Sequence, residues 1–367
     1  MPVGYFILWF LFCIIAYAIL FMIQIPLRRK GRYVLRIVLC LVKAALATFL
    51  ALVIMVLPSW FSRDGVYPAT ALYVALFGDV FSDIIMIPVS MARKGKPYIA
   101  LNAIVCALMT VAFMVWGTVN MQTIRKTELT YSSEKLTKAH KLVFLSDVHM
   151  GAAQSEATVS NALNEIDGLH PDFIVLGGDI TDDYTKKEEM QTIFRLLGSL
   201  NAPVYYVYGN HDRQPSGSET GGPHFSEKEL EKAITDAGII ILKDNWVKVS
   251  DDLILLGKED FSVSSRLSVE KLPSRTEKAF VLSIDHSPFE RGDIVATNAD
   301  LQLSGHTHSG QLFPLRLVYS IAGFSPYGKY HYGNTDVFVS SGFAGWGVPF
   351  RTEAHSEYVV VNLVPAK

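Results

Sequence analysis

Eight side chains able to bind cations or move protons fall at five places in the later part of this chain. Asp147 and His149 stand in Ser-Asp-Val-His, Asp179 in Gly-Gly-Asp-Ile-Thr-Asp, and Asn210 and His211 in Gly-Asn-His-Asp. His286 stands in Ile-Asp-His-Ser, and His306 and His308 in Gly-His-Thr-His. Imidazole, carboxylate and amide oxygen without thiolate suit Mn, Fe or Zn at a hydrolytic centre and argue against a structural zinc or soft-metal site. A carboxylate bridging two cations ~4 Å apart turns a shared water into hydroxide at neutral pH and lets the pair clamp phosphoryl oxygens. Asp179 is the candidate bridge. Taken singly, each histidine is more often a surface or core residue. The set outweighs that reading, because Gly178, Gly209 and Gly305 each precede a donor and permit the tight turns that bring ligands close.

To converge, these residues need elements that end at one edge. Each group follows a short apolar run, at 141–145, 173–176, 204–208, 279–284 and 301–303, and continuous apolar character suits strands buried on both faces. Helical stretches are expected near 156–169, 187–200 and 226–237, and further strands at 239–242, 253–256, 337–340 and 358–363. The pattern predicts layered α/β structure with two packed sheets and outer helices, with ligand sites at the strand ends.

The earlier part has another character. Half of the 367 residues are apolar and only 19% are charged. Residues 1–124 hold ten Lys/Arg against three Asp/Glu, whereas the rest hold 23 against 32. That asymmetry disfavours a single soluble globule, a disordered chain and a disulfide scaffold. Cys13, Cys40 and Cys106 all lie in the apolar part and read as small core residues. Four runs, 3–26, 33–58, 66–88 and 99–121, each reach the ~20 residues that cross a bilayer as a helix. The first lacks a basic leader and a small-residue cleavage site, so it reads as a span. The organisation is therefore a four-helix transmembrane region over 1–122, a polar juxtamembrane connector over 123–140 and a catalytic domain over 141–367. Arg28, Arg29, Lys30, Arg32, Arg93, Lys94 and Lys96 fall in the first and third loops, against Arg63, Arg125 and Lys126 on the other side. Basic residues near short loops stay cytoplasmic, which places the domain on the extracytoplasmic face. Lys43 and Asp79 fall near mid-membrane on neighbouring spans, with Asp83 one turn from Asp79, so an ion pair is expected. It serves helix packing or, less often, an ion or proton path.

In order and spacing, Asp147-x-His149, Gly178-Asp179-x-x-Asp182, Gly209-Asn210-His211-Asp212, His286 and Gly305-His306-x-His308 resemble the calcineurin-like metallophosphoesterases over essentially the whole later part. The stretch from Gly333-Asn334-Thr335 through Ser340-Ser341-Gly342 to Gly347-Val348-Pro349-Phe350-Arg351 is similar to the membrane-attached bacterial branch, which includes enzymes like UDP-2,3-diacylglucosamine pyrophosphatases. The resemblance implies a four-layer αββα domain. It assigns Asp147, His149, Asp179 and His308 to one divalent metal ion and Asp179, Asn210, His286 and His306 to a second, with Mn favoured over Fe or Zn. It makes His211 a phosphate contact that protonates the leaving oxygen, with Asp212 orienting it, and leaves Asp182 a supporting residue.

His140, His170, His224, His331 and His355 read as surface residues, Trp346 as packing, Arg351 as a surface ion pair, and 214–223 as a solvated loop. The leading expectation is a membrane-tethered, dinuclear-metal hydrolase of phosphoester or pyrophosphate bonds that uses metal-bound hydroxide on small or lipid-linked phosphate esters. Nucleic acid is not an expected partner, because the later part is acidic and has no basic stripe. The alternatives are a transporter or sensor built on Lys43, Asp79 and Asp83 with the domain as a regulatory appendage, and a module that holds metals without turnover.

Overall fold

A computed structural model describes residues 15, 18, 19, 22, 33–56, 63–92, 99–151, 153–215, 222–272 and 278–366. The chain divides into two compact units. The first comprises residues 1–120 with the short segments Leu312–Leu315 and Gly347–Thr352. Its described helices are α1 (Tyr33–Val56), α2 (Arg63–Ala92) and α3 (Ile99–Gln122). Each contains a stretch long and apolar enough to cross a membrane, at Val34–Met55, Pro68–Val89 and Ala100–Gln122. Three such helices are present among the described residues, not four. The expected first span, 3–26, lies almost wholly outside them.

The expected pairing in this unit is present and larger than anticipated. Lys43 Nζ lies 2.9 Å from Asp79 Oδ2 and 2.5 Å from Asp83 Oδ2. Arg36 Nη2 lies 3.1 Å from Asp83 Oδ1, and the Cys106 thiol donates to Asp79 Oδ1 at 3.5 Å. All four charged residues are buried. Two positive and two negative groups satisfy one another, as charges in an apolar surround must. Arg351, in the same unit, is fully buried rather than exposed.

The second unit holds two six-stranded sheets. The first sheet is ordered β1 (Ile124–Ser133), β12 (Ser356–Pro365), β2 (His140–Leu145), β3 (Phe173–Leu176), β4 (Val204–Tyr206) and β5 (Ile240–Ile241). From β2 to β5 the pairing is parallel, and β12 runs antiparallel to β2. The second sheet is ordered β10 (Gly328–Tyr332), β11 (Thr335–Val339), β9 (Leu301–Ser304), β8 (Phe280–Ile284), β7 (Leu253–Gly257) and β6 (Asn245–Ser250). Alternation along β2 shows how the layers form. Leu142 and Phe144 point into a core shared with Leu255, Leu282, Leu303 and Phe338 of the second sheet. Val143 and Leu145 point the other way, into a core with helices α4 (Glu156–Asp167), α5 (Lys187–Gly198) and α6 (Glu227–Asp236). On the far side of the second sheet, Ile294 of α7 (Arg291–Thr297) packs on Val337 and Val339. The order is helices, sheet, sheet, helix.

Residues 124–133, expected as connector, are instead strand β1, paired in parallel with β12 over ten positions. Their burial alternates, with Leu129 buried, because an edge strand shows one face to water. That polarity hid the strand in the sequence. The same reason applies to β6 and β10, both edge strands that were not expected. His140 is likewise a correction: it is buried, with Nε2 2.9 Å from Asp252 Oδ1.

Candidate metal centre

The strands β2, β3, β8 and β9 and the segment after β4 all deliver their polar residues at their C-terminal ends, where backbone groups are no longer used by a ladder. The turns there are crossed by hydrogen bonds, with Asp147 N donating to Gly178 O at 2.9 Å and Val148 N to Asp179 O at 2.8 Å. Asp147, His149, Asp179, His306 and His308 all have positive φ, between 47° and 70°. That region is unfavourable for residues with a Cβ and persists where surrounding structure holds it, most often at functional sites. Space is equally restricted. A Cβ at Gly209 would lie 2.2 Å from Asp179 Oδ1, and one at Gly305 2.3 Å from Asp147 Oδ2.

Two groups of donors result, Asp147 with His149 and His308, and Asp179 with His286 and His306. Within each group the ligand atoms lie within 4.8 Å of one another. Asp179 reaches both: its Oδ2 is 3.1 Å from His286 Nε2 and 3.9 Å from His149 Nε2. His308 Nε2 is 3.6 Å from Asp147 Oδ1. Asn210 Oδ1 approaches His306 Nδ1 to 2.6 Å, and that nitrogen is 3.2 Å from His286 Nε2. The candidates from five separate segments are thus gathered in one place.

The histidine tautomers follow from their second nitrogens. His286 Nδ1 donates to Gly177 O at 2.8 Å, and His308 Nδ1 to Ala344 O at 3.1 Å. His149 Nδ1 is 2.9 Å from Asp182 Oδ2. Each leaves Nε2 turned to the centre, the arrangement by which outer partners orient metal ligands. His149 Nε2 is buried and makes no hydrogen bond, and Nδ1 meets Asp182 as a close ion-pair contact outside hydrogen-bond geometry. An orphaned buried imidazole nitrogen among carboxylates, with amide and imidazole donors converging, fits a divalent cation at each group.

Charge points the same way. Burial pushes the Asp179 carboxyl up, but His286 and His211 outweigh it and hold it well below the usual range. Burial, with His286 beside it, lowers His306 to about 4, so its nitrogen carries a free lone pair at neutral pH. Burial works against a proton on His286 too, but Asp179 and Asp147 raise its affinity well above the ordinary value. A cation takes the place of such a proton.

His211 lies beside both groups. Its backbone N–H donates to Asp179 Oδ1 at 2.8 Å, and its Nδ1 is 2.6 Å from Asp183 Oδ2. Asp212 does not orient it, contrary to expectation. The Asp212 carboxylate accepts the backbone N–H groups of Asp179, Ile180, Thr181 and Gly209 at 2.7–3.0 Å, pinning two strand exits together. The partner of His211 is Asp183, for which the run of acids at 182–183 was the only sequence signal. Trp346 stacks on His211. Nothing in the sequence near residue 346 could have announced that, because the contact spans 135 positions of chain. The loop that brings it is tied to the first metal group, with Phe343 N donating to Ser146 O and Ala344 N to Asp147 O, each at 2.8 Å. Of the residual histidines, His331 is exposed and pairs with Asp336, while 216–221 lie outside the described residues.

Two packed sheets thus gather a candidate two-site metal centre at their strand ends. Residues 140–310 match the family described as calcineurin-like phosphoesterase. An uncharacterized metallophosphoesterase of Helicobacter pylori is 29% identical over 241 residues, 63% of this chain and 62% of the relative. A Campylobacter jejuni uncharacterized metallophosphoesterase is 27% identical over 284 residues, covering 74% of this chain and 73% of the relative. A Danio rerio transmembrane protein with metallophosphoesterase domain is 26% identical over 338 residues, 84% of this chain and 74% of that one. Against the two Helicobacter relatives, the chain spans less than two thirds of their length.

Proposed function

We propose that this chain is a membrane-tethered, two-metal hydrolase of phosphoester or pyrophosphate bonds, with lipid-linked phosphates as its substrate class. The observation that carries the reading is the pair of adjacent donor groups, with Asp179 Oδ2 3.1 Å from His286 Nε2 in one and 3.9 Å from His149 Nε2 in the other, and His211 beside them. Asp147, His149, Asp179 and His308 would hold one divalent cation, and Asp179, Asn210, His286 and His306 the other, with Mn favoured. When bound, the two cations supply a water of lowered pKa and a positive clamp for phosphoryl oxygens. The chain's own part is positional. Asp182 and the carbonyls of Gly177 and Ala344 fix the imidazoles. Asp183 holds His211 Nδ1, which leaves Nε2 to place a proton on the leaving oxygen. Burial opposes that proton, but in the metal-free chain Asp179, the Asp183 hydrogen bond and Asp182 raise the His211 pKa to about 9.

Lipid-linked substrates suit the chain's construction. Only Thr123 separates the apolar helix α3 from β1, so the catalytic domain stays tethered at the bilayer. The loop charges favour the extracytoplasmic face. The decisive experiment uses the full chain purified in detergent. About two equivalents of metal per chain and hydrolysis of bis(p-nitrophenyl) phosphate with Mn²⁺ are expected, with both lost in Asp179→Asn. Metal-free protein, or turnover unchanged by Asp179→Asn, refutes the reading. A screen of lipid-linked pyrophosphates against soluble nucleotides tests the substrate class, and labelling of Lys232→Cys in intact cells by an impermeant maleimide tests the side.

The buried charges at Arg36, Lys43, Asp79 and Asp83 favour a second reading, a transport or sensing path through the helices. Their mutual neutralisation supports packing instead.

A further inference from the structure

The imidazole of His211 is confined on more than one side. Asp183 fixes Nδ1, and His149 meets the ring edge-on, with centroids 5.6 Å apart and planes at 67°. Trp346 covers a face, with centroids 5.2 Å apart and planes only 25° from parallel. A hydrogen bond at Nδ1 alone leaves the ring free to swing about that contact. A flat indole laid on its face removes the remaining freedom.

Trp346 is itself held with unusual care. Its backbone N–H donates to Gln311 Oε1 at 2.7 Å, and its carbonyl accepts from Gln311 Nε2 at 3.0 Å. Gln311 is fully buried and has φ of 54°, a conformation that costs free energy in a residue with a side chain. Two residues earlier, Ala344 binds Asp147 through its N–H and His308 through its carbonyl. The indole is therefore braced on the same segments that carry the metal-binding candidates. Its own Nε1 is buried with no hydrogen-bond partner.

We propose that Trp346, clamped by Gln311, is a positioning residue for proton transfer: its indole keeps the His211 ring turned so that Nε2 faces the leaving oxygen. This rests on the reading of His211 as proton donor. In that step the attacking water forms a new P–O bond, the old P–O bond breaks with its electron pair passing to the leaving oxygen, the Nε2 proton joins that oxygen, and the proton lost by the water restores the imidazolium.

The test uses the full chain in detergent with Mn²⁺ and two substrates. Bis(p-nitrophenyl) phosphate has a leaving group that needs little protonation, and diphenyl phosphate has a more basic one. Trp346→Leu should lower kcat on diphenyl phosphate by about ten-fold or more and on the nitrophenyl ester by less than about three-fold. KM and metal content should hold, and Trp346→Phe should restore most of the rate. In metal-free chain labelled with ¹⁵N-histidine, the His211 ring signals should carry an aromatic ring-current shift that Leu removes and Phe keeps. Equal losses on both substrates, a change in KM alone, or unmoved His211 signals would each overturn the role of Trp346. His211→Ala separates the two levels. If it shows the leaving-group preference and Trp346→Leu does not, only the positioning role falls. If it shows none, the assignment of His211 as donor fails, and the positioning role with it.

Discussion

At the scale of single residues, this centre depends on what stands behind each donor. An imidazole with both nitrogens free is a poor ligand and a poor acid, because neither its tautomer nor its direction is set. Asp182, Asp183 and two backbone carbonyls resolve that for four histidines. The Asp183 contact yields a pH-dependent prediction. The His211 pKa in the folded, metal-free chain is raised from about 6.5 to about 9, although burial opposes it, by Asp179 first and then Asp183. A raised value for a base contributes stability that is fully present below the unfolded pKa and lost as pH rises through the folded one. Asp183→Asn should therefore destabilise the metal-free chain most below about pH 6.5, with the difference from wild type shrinking toward about pH 9 and beyond. Thermal denaturation of both proteins across that range checks it, and a constant difference would contradict it.

At the scale of elements, the outer strands explain why part of the domain was invisible to pattern reading. The central strands β2, β3, β8 and β9 are mainly apolar and buried along almost their whole length because both of their faces are covered. β1 carries Lys126 and Glu128 on its open face, and Arg125 at its start is exposed too, so it reads as connector. Its place in the sheet makes a clear expectation. Leu129, opposite Val361 and packed in the inter-sheet core, should cost about 2–5 kcal/mol on change to alanine. A solvated linker would show no change in chemical denaturation.

At the scale of the whole molecule, the apolar helices and the two-sheet domain make separate demands. In the helical unit, Lys43 is paired with two carboxylates, so Lys43→Met leaves buried negative charge that Arg36 alone must balance. The expected cost is about 3–5 kcal/mol, seen as a lower unfolding temperature in detergent. Asp79→Asn should leave hydrolysis of bis(p-nitrophenyl) phosphate in detergent unchanged if the charges serve packing. Loss of a transport or signalling phenotype with hydrolysis intact would instead favour the path reading.

What the amino-acid order determined by itself is the set of metal-binding candidates, the strands that carry them and the apolar stretches. Local chemistry suffices there: a donor after glycine at the end of an apolar run announces a strand exit, and twenty apolar residues announce a helix of bilayer length. Only the tertiary structure decided which acid serves which histidine, that Asp212 pins backbone while Asp183 holds His211, that 124–133 is a strand, and that Trp346 lies against a ring 135 residues away. Those relations are set by which side chains packing brings within hydrogen-bond reach, and distance along the chain carries no information about that.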